Sequence, residues 1–461
     1  MLDRGTGHRP GHLSGKVPPT DEPADQKRYR DAMHKISRLS LLLSCAILAA
    51  PAAAQLSEGE VPNQGQIEAG EVLSAQPAPT QTPAAPVVRA PMTVVNWTRA
   101  DAQDLLAMVE RIHEEGLDSA DYDPERLRAA IAGDDDLALN RAATDVFLKL
   151  SSDLSLGHAR GDARVGWHIE DNDITGNQQY ALMARATQNH NVRDTLTSLL
   201  PTHPQYNELK AALAATPKSD RATIDKIRTN LERWRWLPRD LGQKYVIVNV
   251  PAYTVALVEN GQVVARHRAV VGKPKTATPQ LSATMTGVIF NPWWNLPQSI
   301  VREVGAGAKG YVTNRGEDGS VTMRQRPGPN NSLGRMKIVM PNDYAIYLHD
   351  TPAKSLFAKD ARAFSHGCIR TQDALGFAQT LLASTGEWDK GRIDETVASG
   401  ETVQADMAAP VPVYITYFTA AASKDAGGIL AYKDIYGRDD PVALALNDRG
   451  GNTAVASIAA E

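Results

Sequence analysis

The chain has 461 residues, 42% of them hydrophobic, and a formal net charge of −4 at pH 7. Its length predicts two or three domains at roughly 100–200 residues per domain, with enough apolar side chains for globular cores. The weakly negative charge argues against a general nucleic-acid-binding protein, which would carry a strong basic bias.

The N-terminal segment has the order of a secretory signal. A short cationic stretch precedes an apolar run from Leu39 to Ala50, and small residues follow that run. An apolar run of about 12 residues is too short to span a bilayer comfortably, which takes about 20. We therefore predict that residues 1–54 are an N-terminal extension and signal peptide, with translation starting at Met33. A membrane-lying helix and acylation at Cys45 remain as weaker alternatives.

Residues 55–92 are rich in Pro, Ala, Gln and Glu and have few large apolar side chains. Such a segment cannot bury enough surface to offset its ordering entropy, so we predict a disordered linker. Residues 93–242 then show the apolar spacing of helices and predict an all-α domain. The predicted helices cover residues 124–131, 137–154, 178–188, 192–200, 206–215 and 219–236.

Near the end of this region, Trp234 shares helical spacing with Ile227 and Leu231, so we expect it to be a core residue. Arg233 and Arg235 are expected to be partners in structural ion pairs.

From Lys244 onwards the pattern is that of strands. The pair Asn260-Gly261 between two apolar stretches predicts a tight hairpin turn, because both residues accept positive φ. Further strands are predicted at residues 285–290, 337–340, 345–348 and 411–418, and a helix at 372–383. Residues 243–445 therefore predict a mostly-β domain, and residues 446–461 a C-terminal tail.

Cys368 is the only cysteine left once the signal is removed, so it has no partner for an internal disulfide. It lies in the hexapeptide Ser-His-Gly-Cys-Ile-Arg at 365–370, and a thiol in such a setting is typical of a nucleophile. His349 ends a predicted strand 19 residues before the thiol. We expect His349 to be the base and His366 a positioning residue.

The backbone around the thiol suggests further roles. Gly367 allows close backbone approach, and the N–H groups of Gly367 and Cys368 are expected to form an oxyanion hole at a helix start. Arg370 is expected to hold a carboxylate of the substrate or of a structural partner. Two alternatives are a buried, inert cysteine and a zinc site made from Cys368, His366 and His349, although the spacing of a structural zinc site is missing.

The segment Tyr347-Leu348-His349-Asp350, followed by the hexapeptide at 365–370, resembles the active-site signature of L,D-transpeptidases with a YkuD-type catalytic domain. The stretches at 230–238, 291–297 and 331–337 resemble the large periplasmic subgroup that carries a helical scaffold domain. This resemblance implies an N-terminal all-α scaffold domain at 93–242 and a mostly-β L,D-transpeptidase catalytic domain at 243–445, with a lid near 300–326. The small peptidoglycan-binding module of many such proteins is not visible.

The resemblance also implies the chemistry. Cys368 would attack the carbonyl that joins the diamino acid at position three to D-Ala at position four of a tetrapeptide stem. The amine of a second stem would then resolve the thioester and give a 3→3 cross-link. His349 would take and return the proton, and Ser365, His366, Gly367 and Arg370 would shape the donor pocket. Acylation by carbapenems is implied as well.

The expected partners are donor and acceptor stem peptides of peptidoglycan and other cell-wall synthases. We expect a periplasmic location, no nucleic acid, no cofactor or metal, and membrane contact only through the signal segment before cleavage. The same Cys-His site would also serve an L,D-carboxypeptidase or an enzyme that attaches proteins to peptidoglycan. A non-catalytic wall-binding module is the alternative from another functional class.

Overall fold

The computed structural model describes residues 95–170, 174–423 and 428–448. A helical region comes first and a mostly-β region follows, which confirms the predicted fold class. The predicted signal peptide, Cys45 and the linker lie outside the described residues. Among the helices that the structure describes, none combines the length and the apolar composition needed to cross a membrane.

The helices of the first region follow the predicted apolar spacing closely. They are α1 (Arg99–Glu110), α2 (Pro124–Ala132), α3 (Asp136–Leu156), α4 (Gly176–Gln188), α5 (Val192–Thr197), α6 (Pro204–Ala215) and α7 (Arg221–Arg235). Helix α5 ends three residues before the predicted limit of 200. Leu200 precedes Pro201, and a residue before proline is disfavoured in the helical conformation.

The core of the helical region includes side chains from the other end of the chain. Trp234 is buried and stacks on His203 and on Phe418, with ring centroids 4.2 and 4.5 Å apart. Trp234 is thus a core residue, as predicted. Helix α11 (Asp439–Asn447) also lies against α7, where Arg233 pairs with Asp439 at 2.6 Å. The segment after the β-region therefore folds back and completes the helical core.

The β-region contains most of the strands, and one short strand precedes it. The strands are β1 (Trp167–His168), β2 (Lys244–Asn249), β3 (Thr254–Glu259), β4 (Gln262–Gly272), β5 (Gln280–Phe290), β6 (Trp294–Asn295), β7 (Tyr311–Arg315), β8 (Val321–Gln325), β9 (Met336–Val339), β10 (Leu348–His349), β11 (Ala363–Ser365), β12 (Ile369–Thr371), β13 (Val403–Thr416), β14 (Ala420–Ser423) and β15 (Gly428–Ala431). The helices of this region are α8 (Gln298–Val304), α9 (Ala374–Leu382) and α10 (Lys390–Ser399).

The main sheet closes on itself. Its strand order is β5-β13-β2-β3-β4-β12-β10-β9, and β9 also pairs with β5, so the two ends of the order meet. Strand β1 adds to β5 in parallel and joins the helical region to this sheet. The pairing of β9 with β5 places β9, β10 and β12 side by side within the closed sheet.

The predicted β2–β3–β4 meander is present, and its tight turn has φ of 50° at Asn260 and 75° at Gly261. The prediction of a strand over 345–348 is wrong for most of its length, because strand pairing begins only at Leu348. The Asn342 side chain bonds the backbone N–H groups of Tyr344 and Ile346. That loop arrangement replaces the strand pairing that the apolar alternation predicted.

A buried ion pair connects the helical elements near the end of α7. Glu232 and Arg235 are both fully buried, with Oε2 of Glu232 2.7 Å from Nη2 of Arg235. The other carboxylate oxygen of Glu232 accepts hydrogen bonds from the Ala159 N–H and from the indole N–H of Trp236. Burial alone would raise the pKa of Glu232, but Arg235 and these donors outweigh burial and lower it. The predicted structural role of Arg235 is therefore present.

Substituting Glu232→Ala should lower the free energy of unfolding by about 3–5 kcal/mol, because it leaves the buried guanidinium of Arg235 uncompensated. Urea denaturation measures this change. As the control, Glu114→Ala removes an exposed partner of Arg111 and should leave the midpoint unchanged. A loss below about 1 kcal/mol for Glu232→Ala would contradict a structural role for the pair.

Candidate active site

Two adjacent strands bring three of the predicted site residues, His349, Cys368 and Arg370, to one face of the sheet. Strands β10 and β12 are parallel, with Leu348 opposite Ile369 and His349 opposite Arg370. Leu348 and Ile369 are fully buried in the core. Side chains alternate along a strand, so His349, Arg370 and the neighbouring Cys368 lie on the opposite face.

Two further side chains belong to this face. His349 also pairs with Lys337 of the antiparallel strand β9, and directly paired residues share a face. Tyr347 precedes Leu348 and accepts the Ile369 N–H at its carbonyl at 3.0 Å, which places it beside Cys368. The Tyr347 ring packs edge-on against the His349 ring, with centroids 5.7 Å apart.

The thiol lies in a tight turn between β11 and β12. The Ser365 hydroxyl donates to the Cys368 carbonyl at 2.6 Å and accepts the Gly367 N–H at 3.2 Å. Gly367 has φ of 116°, a conformation that a residue with a side chain rarely adopts. Ser365 thus organises the turn, and the Gly367 N–H is already used within it.

The helix predicted after the cysteine is present, but it begins only at Ala374. Cys368 leads into strand β12 instead. The expectation of a helix start at the sulfur is therefore wrong. The Gly367 carbonyl accepts a hydrogen bond from Thr278, which pins the turn to the residues that follow β4.

His349 is buried, and the backbone of both Asp350 and Leu333 forms hydrogen bonds with its ring. Its Nδ1 lies 2.5 Å from the Asp350 carbonyl oxygen. A carbonyl only accepts, so Nδ1 carries the proton and Nε2 keeps its lone pair. Burial, together with the positive charge of Arg370, lowers the pKa of His349 to about 4. The imidazole is therefore neutral at physiological pH and able to accept a proton.

Asp350 is a positioning residue that the sequence interpretation did not identify. Its carboxylate pairs with Lys354 and accepts the Arg335 N–H at 2.9 Å. Its own N–H donates to the Met336 carbonyl at 2.9 Å. These bonds hold the carbonyl that orients His349. The only sequence signal was an acidic residue directly after the histidine.

Cys368 is half-buried, and its Sγ lies 3.7 Å from the Ala345 carbonyl oxygen. Burial raises the pKa of the thiol, while hydrogen bonding to Tyr347 and the charges of Arg370 and Lys337 oppose that rise. The net effect is a protonated thiol at neutral pH. A nucleophilic Cys368 would then need a base to remove its proton.

A small subdomain in the segment where the lid is predicted contacts the turn that carries the thiol. Strands β6, β7 and β8 form a separate three-stranded sheet, and α8 packs with them around a core of Leu296, Val301 and Met323. From α8, Glu303 reaches Nε2 of His366 at 3.0 Å. The same nitrogen lies 3.2 Å from the ammonium of Lys273. His366 therefore connects the thiol turn to this subdomain.

One cavity borders the site and a second lies next to that cavity. One of about 240 Å³ is lined by Lys337, Ala345 and Tyr347, all of which neighbour the thiol. A larger one of about 690 Å³ is lined in part by Tyr344 and by His168, which stack with centroids 4.3 Å apart. Both cavities share Pro341 and Asn342 in their linings.

A metal centre finds no support at this site. Within residues 95–170, 174–423 and 428–448, no three His, Cys, Asp or Glu side chains converge closely enough to hold a metal ion. The zinc alternative built on Cys368, His366 and His349 therefore has no ligand cluster in this part of the chain.

Comparisons with solved structures give only weak likenesses. An L,D-transpeptidase from Mycobacterium smegmatis is 16% identical with a TM-score of 0.22, over 38% of this chain and 58% of that one. The catalytic domain of the Enterococcus faecium L,D-transpeptidase acylated by ertapenem is 16% identical with a TM-score of 0.20, over 38% of this chain and 99% of that one. These scores are too low to bear on the structure described above.

Sequence comparisons are more informative. A curated "Putative L,D-transpeptidase" from Haemophilus influenzae is 30% identical over 287 residues, which is 56% of this chain and 58% of the relative. The chain thus spans less than two thirds of that relative. Residues 243–413 match the family model for the L,D-transpeptidase catalytic domain, YkuD, and residues 95–213 match the model for the Scaffold domain. The chain therefore carries a YkuD-type L,D-transpeptidase catalytic domain preceded by a Scaffold domain, which confirms the resemblance found in its sequence.

Proposed function

We propose that this protein is an L,D-transpeptidase that forms 3→3 cross-links in peptidoglycan through an acyl-enzyme on Cys368. The observation that carries the proposal is the common face of β10 and β12. On that face the neutral, oriented His349 lies opposite Arg370, two residues along the chain from Cys368. With strands about 4.8 Å apart and a rise of about 3.3 Å per residue, the Cα atoms of His349 and Cys368 are about 8 Å apart. That separation is within the combined reach of the two side chains.

The proposed reaction has two transfers. His349 Nε2 takes the Cys368 proton as sulfur bonds to the carbonyl carbon of residue three of the donor stem. The carbon–nitrogen bond to D-Ala breaks, and the proton passes from His349 to the departing amine, leaving a thioester. The side-chain amine of a second stem then attacks the thioester, and its proton returns through His349 to the sulfur. Arg370 would bind a carboxylate of the donor, and Ser365, His366 and Gly367 would shape the pocket around the acyl group.

Two alternatives use the same thioester. Water as the acceptor gives an L,D-carboxypeptidase, and an amine on another protein gives attachment to peptidoglycan. Analysis of cell-wall fragments after expression separates them. New 3→3 dimers support cross-linking, accumulated tripeptide stems alone support hydrolysis, and protein-linked stems support attachment.

The proposed setting is the periplasm, with peptidoglycan stem peptides as donor and acceptor and with other cell-wall synthases as possible neighbours in the process. The family model and the curated relative support a cell-wall substrate. Because residues 243–413 match the L,D-transpeptidase catalytic domain, whose members are expected to be acylated by carbapenems, we also propose that carbapenems acylate Cys368.

Cys368→Ser should abolish the covalent adduct with meropenem and the formation of 3→3 dimers, because the sulfur nucleophile is gone. Intact-mass measurement followed by peptide mapping checks the adduct. The thermal midpoint should stay at the wild-type value, which serves as the control for folding. An adduct that persists in this variant would place the nucleophile elsewhere.

His349→Ala should slow acylation by meropenem about 10²–10⁴-fold, the usual contribution of a general base. His158→Ala is the matched control, since His158 is a buried histidine bonded to Asp153 in the helical region. Rates are measured by stopped-flow absorbance and divided by the folded fraction. Equal losses in both variants would refute the role of His349.

The acylation rate should show no inflection near pH 6.5, the ordinary pKa of histidine. Since the pKa of His349 is lowered to about 4, the imidazole stays neutral from pH 5 to 8 and the rate falls only as pH approaches 4. A rate profile of the wild-type protein between pH 4 and 8 measures this. A loss of activity centred near pH 6.5 would contradict a buried, neutral base.

A further inference from the structure

Two cations beside the thiol have no carboxylate partner. Among the residues that the structure describes, neither Lys337 nor Arg370 forms an ion pair, and Nε of Arg370 is buried without a hydrogen bond. The recorded contact of the Lys337 ammonium is the face of the Tyr347 ring, 5.4 Å from its centroid. Buried cations of the helical region differ, since Arg233 pairs with Asp439 and Arg235 with Glu232.

The acidic side chains nearest the site already have partners of their own. Asp350 pairs with Lys354 and accepts the Arg335 N–H. Glu303 bonds His366. A half-buried cation without a counterion is costly unless an anion joins it. An anion from outside the chain would therefore supply the missing counterion. Lys337 lines the cavity next to the thiol, where such an anion can enter.

Both cations are close enough to the sulfur to stabilise its thiolate form. In a peptide donor, the leaving residue follows the attacked carbonyl directly. Its own carboxyl carbon is two bonds beyond the scissile nitrogen, within about 4 Å of the attacked carbon. A cation close enough to stabilise the thiolate of Cys368 is therefore also close enough to contact the carboxylate of the leaving residue.

We propose that Lys337, together with Arg370, binds the free C-terminal carboxylate of the leaving D-amino acid, and that Lys337 makes the site select donors that end in that carboxylate. The inference rests on the proposed function for the identity of the donor. Lys337 is then a specificity residue on β9, on the opposite side of His349 from the strand that carries the nucleophile. When Lys337 and Arg370 bind the carboxylate, the neutral imidazole of His349 remains as the group that transfers the proton.

The first test needs no turnover. Iodoacetate and iodoacetamide both alkylate the thiolate of Cys368, with a sulfur–carbon bond forming as iodide leaves, but only iodoacetate is an anion. Their rate ratio, divided by the ratio for N-acetylcysteine, measures attraction of anions and is independent of the thiol pKa. Peptide mapping restricts the measurement to Cys368. Lys337→Met should lower the ratio about tenfold, the effect of losing one charged hydrogen bond.

Matched variants separate charge from structure. Lys337→Arg keeps the charge and should retain most of the ratio. Lys244→Met removes a strand lysine that pairs with Glu259 at 2.9 Å, and it should leave the ratio unchanged. A ratio in Lys337→Met equal to that of the wild-type protein would overturn the anion site.

The second test uses tetrapeptide donors that end in D-alanine or in D-alaninamide. Lys337→Met should lower kcat/KM about tenfold more for the acid than for the amide, because both donors share any change in thiolate stability and only the acid has a charge to bind. An equal loss for both donors would overturn the role in selection. If the wild-type protein turned over neither donor while the alkylation ratio still depended on Lys337, the proposed function would fail and the anion site would stand.

Discussion

The pairing register of β10 with β12 is the constraint on which the site depends. Leu348 lies opposite Ile369, and both side chains point into the core. Because side chains alternate along a strand, the residues on either side of them must point to the opposite face. A slip of one residue in β12 would turn Cys368 and Arg370 towards the core and would bring Ile369 to the face that carries His349. The apolar core thus determines where the candidate nucleophile and its candidate base lie.

The closed sheet extends this constraint to a third strand. Strand β9 is held on both sides, by β5 and by β10, so Lys337 is fixed opposite His349. Asp350 strengthens the same junction through the Met336 carbonyl and the Arg335 N–H. The orientation of the His349 imidazole therefore depends on the neighbouring strand, since the Asp350 carbonyl that orients it belongs to a residue bonded to Arg335 and Met336.

Burial disfavours the charged form of both His349 and Cys368. It lowers the pKa of His349 and raises that of Cys368, so each group is neutral in the free protein. A thiolate–imidazolium pair is disfavoured in such surroundings, so the proposed reaction includes a proton transfer from Cys368 to His349. The two cations of this face offset part of the cost of the thiolate. Glu303, from the subdomain of β6 to β8 and α8, contacts His366, so the turn that carries Cys368 is connected to that subdomain.

The sequence by itself determined the local features of this protein. Apolar spacing located α2, α3 and α7 to within a few residues, Asn260-Gly261 located the hairpin, and the hexapeptide around Cys368 identified the candidate nucleophile. These features depend on neighbours along the chain. Tertiary structure alone decided the rest: the loop at 345–347, the return of Phe418 and α11 to the helical core, and the places of Asp350 and Lys337 beside His349. Those outcomes depend on strand pairing and on packing between residues far apart in sequence, and no local pattern encodes which strand becomes the neighbour of which.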